Sequence, residues 1–170
     1  AQFGNCTASE MQTYTDHETG NTITILTDTL KNDRFLYQTD PMWTSDGKYL
    51  LFRSSSRGNG EKIERTLPNG EKRSWTPTQI YFIEMATGQI IQATEGPDLG
   101  SAFLANKSNR MFISRKEKED WNLYVMNLDK FFADVKKGKV GKPAAYETLL
   151  GTFPTNMGRP GGYAIDCNDD

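Results

Sequence analysis

Histidine is nearly absent from this chain: one residue, His17, among 170. A site that needs several imidazoles, for a metal or for paired acid and base work, cannot be assembled from it. Cysteine is almost as scarce. Cys6 and Cys167 lie near opposite ends at no zinc-binding spacing, and they fit one disulfide or two free thiols equally. A charge excess is also lacking: 20 Lys and Arg against 22 Asp and Glu give a formal net charge of -2, which supplies no basic field for a nucleic acid partner. No apolar run approaches the roughly 20 residues that a membrane-spanning helix needs. There is no Gly-x-Ser-x-Gly elbow, no Ser close to a His and no phosphate-cradling glycine loop, since "GRPGG" (158–162) is too short and precedes an expected strand. An initiator Met is missing too. The opening "AQFGNCTASE" fits removal of a signal peptide, so a periplasmic or secreted location is expected, with the cytoplasm as the alternative.

What fills the chain is short apolar runs punctuated by turn residues, with almost no helical spacing. This reads as all-β. The runs recur. "WTSDGKYLLFR" (43–53) aligns with "LANKSNRMFIS" (104–114) at an offset of 61 residues (104 minus 43), and the same offset makes "GGYAI" (161–165) a third entering strand. A second element repeats as well. "MQTYTDHETGNTITILTD" (11–28) and "QIYFIEMATGQIIQATEG" (79–96) each hold two short strands about a Thr-Gly turn. "WNLYVMNLD" (121–129) is a third first half, with "AAYETLL" (144–150) as its partner.

Hairpin followed by hairpin makes a four-stranded antiparallel unit, and such units in series are blades of a β-propeller, typically about 40 to 45 residues each. The expected organisation is one domain over 1–170: the outer two strands of a blade at 11–28, complete blades at 38–94 and 101–150, and the first strand of another at 161–166. Inserts at 56–78 and 130–143, rich in Gly, Lys and Glu, read as solvated loops, the second holding one short helix over 131–136. Two full blades and parts of two leave the ring incomplete, because propellers take roughly four to eight. The remaining blades are expected from further residues or a complementary chain.

In this order and spacing, "TYTDHETGNTITILTD", "FLYQTDPMWTSDGKYLLF", "QIYFIEMATGQIIQATEG" and "NLYVMNLD" resemble the N-terminal blades of oligogalacturonate lyases, over residues 12–129. Those are seven-bladed propeller enzymes of pectin breakdown. The resemblance implies an acidic oligosaccharide substrate cleaved by β-elimination, in which a base removes the proton α to the uronate carboxylate and a divalent cation, usually manganese, neutralises that carboxylate. The weakly acidic proton makes such electrostatic help necessary. In that family the basic His and the metal-binding His residues come from later blades. No catalytic or metal-ligating position is therefore carried onto this sequence, and the chain alone is expected to be inactive as a lyase. His17, in "DHETG", reads as an exposed turn residue.

Binding candidates follow from position. Segments that link one blade to the next gather near the central channel of a propeller, on the face where sites are commonly placed. Here these are 29–38, 95–102 and 155–162, and they carry Asp33, Arg34, Asp98 and Arg159. Arginine matches a carboxylate in bidentate geometry, so Arg34 and Arg159 are the expected uronate contacts, with rim charges or inter-blade salt bridges as the alternative. Trp121 and Trp75 are candidates for stacking on a sugar ring. Trp43, Phe52, Tyr81, Phe82, Phe103, Phe112, Tyr124 and Tyr163 read as packing between blades. The expected function is that of the N-terminal portion of an oligogalacturonate lyase, acting mainly as scaffold. The alternatives are a non-catalytic WD40-like binding platform of the cell envelope and the gating propeller of a serine peptidase, which would demand a downstream hydrolase domain.

Overall fold

The computed structural model describes residues 2–58, 62–67, 69–97, 99–154, 165, 166 and 168. Its organisation starts from two strands, β5 (Tyr49–Ser54) and β8 (Gln79–Glu84), which are buried along almost their whole length. Their register, continued by β9 (Ile90–Gln92), puts Leu51, Phe82 and Ile91 on one face and Leu50, Ile83 and Ile90 on the other. Strands apolar on both faces belong in the middle layer of a stack.

The first face is covered by the antiparallel meander β10 (Leu99–Leu104), β11 (Arg110–Glu117), β12 (Asp120–Asn127) and β13 (Glu147–Phe153). One core cluster joins Leu51, Phe82 and Ile91 to Met111, Ile113 and Met126 of that sheet. On the second face, Phe52, Tyr81, Ile83 and Ile90 pack with Met11 and Leu26. Those two residues flank a hairpin of β2 (Gln12–Thr15) and β3 (Thr22–Ile25). The result is a mostly-β series of antiparallel sheets, propeller-like and not closed into a ring.

The repeated turns are built alike. The carbonyls of Asp16 and Glu84 each accept a hydrogen bond from the glycine four residues on, Gly20 at 2.8 Å and Gly88 at 2.7 Å. Gly88 is doubly required: its φ is 73°, and a Cβ there would lie 2.0 Å from Ser9 Oγ. The offset of 61 residues also survives in three dimensions, since the β10–β11 pair corresponds to the pairing of residues 42–44 with β5. The third copy, expected over 161–166, falls mostly outside the described residues, and Ile165 and Asp166 are not in a strand.

Four features depart from the expectation. The central sheet has five strands, because β1 (Cys6–Thr7) adds to the edge of β9 with Cys6 opposite Ile91. A three-residue edge strand leaves backbone groups unpaired, and the N-terminal segment covers them. The entering strand of this sheet is split into β4 (Asp33–Arg34) and a single bridge from Trp43 to Leu50. Between them the chain turns out of the sheet, with Asp40 N donating to Tyr37 O at 2.8 Å, and Pro41 offers no N–H to the ladder. Trp43 sits at this interrupted edge and is 47% exposed, unlike the packed aromatic expected there.

The third departure is the insert at 130–143, which is not a solvated loop. It opens with helix α1 (Leu128–Lys136), longer at its start than expected and capped by Asn127, whose side chain accepts from Lys130 N at 3.0 Å. Leu128, Phe131, Phe132 and Val135 form one buried stripe at helical spacing. Phe132 stacks on Tyr49 with ring centroids 3.7 Å apart and meets Phe82 edge-on at 5.1 Å. Fourth, the insert at 56–78 is exposed but structured, with a hairpin of β6 (Ile63–Thr66) and β7 (Lys72–Trp75). Cys6 carries a free thiol, and Cys167 and Tyr163 lie outside the described residues. Among the described residues no helix is long and apolar enough to cross a membrane.

Truncating the helix stripe has a clear expected cost. Phe132→Ala should lower stability by about 3–5 kcal/mol, as for other buried Phe to Ala changes. Leu30→Ala, at a side chain 89% exposed, should stay within about 0.5 kcal/mol. Urea denaturation of the two variants checks both, and comparable midpoints would mean that α1 is not part of the core.

Candidate functional site

The split entering strand organises the chemistry. Consecutive strand residues point to opposite faces, so Asp33 and Arg34 are sent different ways. Asp33 becomes part of an ion triad. Arg57 donates from Nε and Nη2 to the Asp33 carboxylate at 2.9 and 2.6 Å, and from Nη1 to Glu10 Oε1 at 2.9 Å. The side chains of Arg57 and Asp33 are only 7% and 9% exposed, and the guanidinium lies 5.3 Å from the Phe52 ring centroid. Glu10 also accepts from Asp28 N at 2.8 Å, so the triad fastens the N-terminal segment to the central sheet. The hydrogen bonds from Arg57 hold the Glu10 carboxyl below the ordinary glutamate value, against the opposing effect of burial.

Arg34 points instead into a cleft of about 630 Å³ between the central sheet and β10. Directly opposite it across the β4–β5 pair is Arg53, which lines the same cleft. Like charges directly opposite on a sheet are destabilising. Neither arginine has an ion-pair partner among the described residues; Arg34 Nε donates to Asn32 Oδ1 at 3.2 Å. Asn32 is itself fixed, with its N and Nδ2 donating to the hydroxyls of Ser56 and Ser55 at 2.8 and 2.9 Å. Asp40, Tyr37, Ser55 and Thr78 complete the polar part of the wall, and Leu99, Gly100 and Phe103 the opposite side. Two facing guanidinium groups in a cleft of this size suit a carboxylate-bearing ligand.

The other sequence candidates separate. Asp98 and Arg159 lie outside the described residues. Trp121 lies within β12, opposite Lys116 and Phe153, and its ring backs the cleft wall: a Cβ on Gly100 would come 2.8 Å from it. Trp75 is on the exposed hairpin β6–β7, opposite Ile63. Arg53 and Arg57 are additions to the candidates. Arg53 was detectable, because it is the one charge in "YLLFRS" and directly follows the apolar run "YLLF". Arg57 gave no such signal in "SSSRGNG", since its partners stand 24 and 47 residues away.

Solved structures with a similar fold include two oligogalacturonate lyases. One is an oligogalacturonate lyase in complex with manganese, with 22% identity and a TM-score of 0.57, covering 77% of this chain and 30% of that chain. The other is an oligogalacturonate lyase from Vibrio parahaemolyticus, with 23% identity and a TM-score of 0.56, covering 76% and 29%. The likeness is one of fold. The chain spans about 30% of the length of these proteins. No protein-family model and no curated protein matches it.

The described residues do not fit a manganese centre. Among the described residues no three His, Cys, Asp or Glu side chains are grouped to hold a metal ion, and His17 is on an exposed turn.

The triad gives stability a pH dependence. A carboxyl whose folded value is lowered contributes stability that is complete above its unfolded value and is lost as the pH falls through the folded one. Urea midpoints should therefore fall as the pH drops below the ordinary glutamate value of about 4.3, and Glu10→Gln should flatten that decline. Arg57→Ala, which leaves Asp33 buried without its partner, should cost about 3–5 kcal/mol at neutral pH. An unchanged midpoint in Arg57→Ala would remove the triad from the account of the fold.

Proposed function

We propose that this chain is the scaffold and one wall of the substrate groove of a polysaccharide lyase that cleaves oligogalacturonate by β-elimination. Its blades, over 11–28, 38–94, 101–150 and from 161, belong to a larger propeller, completed by further residues or a second chain. The reading rests above all on the facing pair Arg34 and Arg53, neither in an ion pair among the described residues, in a cleft within a fold shared with oligogalacturonate lyases. Each guanidinium presents a planar fork of donors that matches a uronate carboxylate, and a bound acid would also relieve the repulsion between the two. Arg159, on another inter-blade segment, is proposed as a further contact. The base and the divalent cation of the elimination are assigned to residues outside this chain, which by itself forms no unsaturated product. A periplasmic or secreted location belongs to the same proposal.

Calorimetric titration with trigalacturonate, and with maltotriose as the neutral control, tests the reading. Trigalacturonate should bind and maltotriose should not, and Arg34→Ala and Arg53→Ala should each weaken binding about tenfold or more. Both substitutions remove a like-charge contact, so neither should lower stability, which separates lost binding from lost folding. Equal binding of the two sugars would favour a non-catalytic platform. Absence of trigalacturonate binding would reject the groove.

A further inference from the structure

Two guanidinium forks match a carboxylate, but a carboxylate alone does not distinguish a sugar acid from any other acid. Tyr37, in the wall of the same cleft as Arg34 and Arg53, is a group that can. It is 67% exposed, whereas its neighbours in that wall, Leu36 and Phe103, are packed into the protein. A large ring left in water forgoes the burial that normally drives aromatic packing. The backbone beneath it is nonetheless anchored on both sides. Leu36 packs against the main core cluster, and Tyr37 O accepts from Asp40 N at 2.8 Å, so the ring is carried on a closed turn. Elsewhere in the cleft wall, Gly100, Ser101 and Ala102 have small side chains or none, which keeps the cleft open.

We propose that Tyr37 is the sugar-recognising residue of the cleft, its ring stacking on the C–H face of the pyranose whose carboxylate Arg34 and Arg53 hold. The inference rests on the cleft being an acidic-sugar site, and it narrows the ligand from acids in general to cyclic uronates. A pyranose presents C–H groups on its face and hydroxyls around its edge, so an aromatic ring takes the face while polar groups fix the edge. Tyrosine suits both, with an apolar body and a polar tip. An acyclic acid of the same charge offers its carboxylates to the arginines but has no face for the ring.

Calorimetric titration compares trigalacturonate with tricarballylate, an acyclic acid that also carries three carboxylates, on the wild type and on Tyr37→Leu, Tyr37→Phe and Phe35→Leu. Phe35 is the control: an exposed ring two residues away that lines a different hollow. Tyr37→Leu should lose about tenfold in affinity for trigalacturonate and keep its affinity for tricarballylate. Tyr37→Phe, which retains the ring, should restore most of that loss, and Phe35→Leu should leave both affinities in place. Urea midpoints of all three should match the wild type, because the side chains are exposed. A trigalacturonate affinity that survives Tyr37→Leu, or a loss that tricarballylate shares equally, overturns the stacking while leaving the arginine cleft standing. So does a loss in Tyr37→Phe as large as in Tyr37→Leu, or an equal loss in Phe35→Leu, which would report the conformation of the segment and not the ring. If trigalacturonate does not bind the wild type, the groove reading fails first, and the stacking with it.

Discussion

The four-residue stripe of α1 is the contact on which the rest depends. Two antiparallel sheets stacked face to face can slide and twist against each other unless something registers them. Here Phe132 lies flat on Tyr49 and edge-on to Phe82, both of the central sheet, while Leu128 follows directly on β12 of the neighbouring sheet. Ser45 and Asp129, reached through Asn109 at 2.8 Å on each side, tie the turns of the two sheets together beside it. Lys136 reaches Glu84 at 2.8 Å and closes the far end of the helix against the central sheet. Because packed interiors tolerate little displacement, this junction sets the spacing between β5 and β10, and with it the width of the cleft.

Arginine plays two opposed parts within a few residues of chain. Arg57 is buried and bounded by two carboxylates, which compensate its desolvation and make it a rivet. Arg34 and Arg53 are set opposite each other by strand pairing, and Arg34 also donates to Asn32, which two serines fix, yet neither arginine forms an ion pair among the described residues. The difference is imposed by strand alternation: Asp33 and Arg34 are neighbours in sequence and face different surroundings. One position serves the fold and the next faces the cleft.

The sheets were readable in the sequence because their information is local. Alternation in "TITI", the long apolar run "YLLF" and the repeated Thr-Gly turns each state a strand or a hairpin within a few residues, and the 61-residue offset states their order. Helix α1 was less readable: its stripe has only four members and sits in a lysine-rich stretch whose composition resembles a loop. The fifth strand was unreadable, since two residues at Cys6–Thr7 show no period and their pairing with β9 is a matter of tertiary position. The cleft was half readable. Arg34 followed from its place before a blade, but the pairing with Arg53 depends on where Pro41 and the turn at Tyr37 let the entering strand rejoin the sheet.

Phe3 rests against Phe131 and Tyr146, with ring centroids 5.1 and 5.8 Å away. Phe3 thus buries itself on a surface made by residues more than 100 positions further along the chain. Phe3 therefore cannot reach its packed position until residues 131 and 146 have been made, whereas β1 and β9 can pair earlier. That long-range closure also predisposes the chain to slow folding, because the cost of bringing distant segments together falls due before their contacts form.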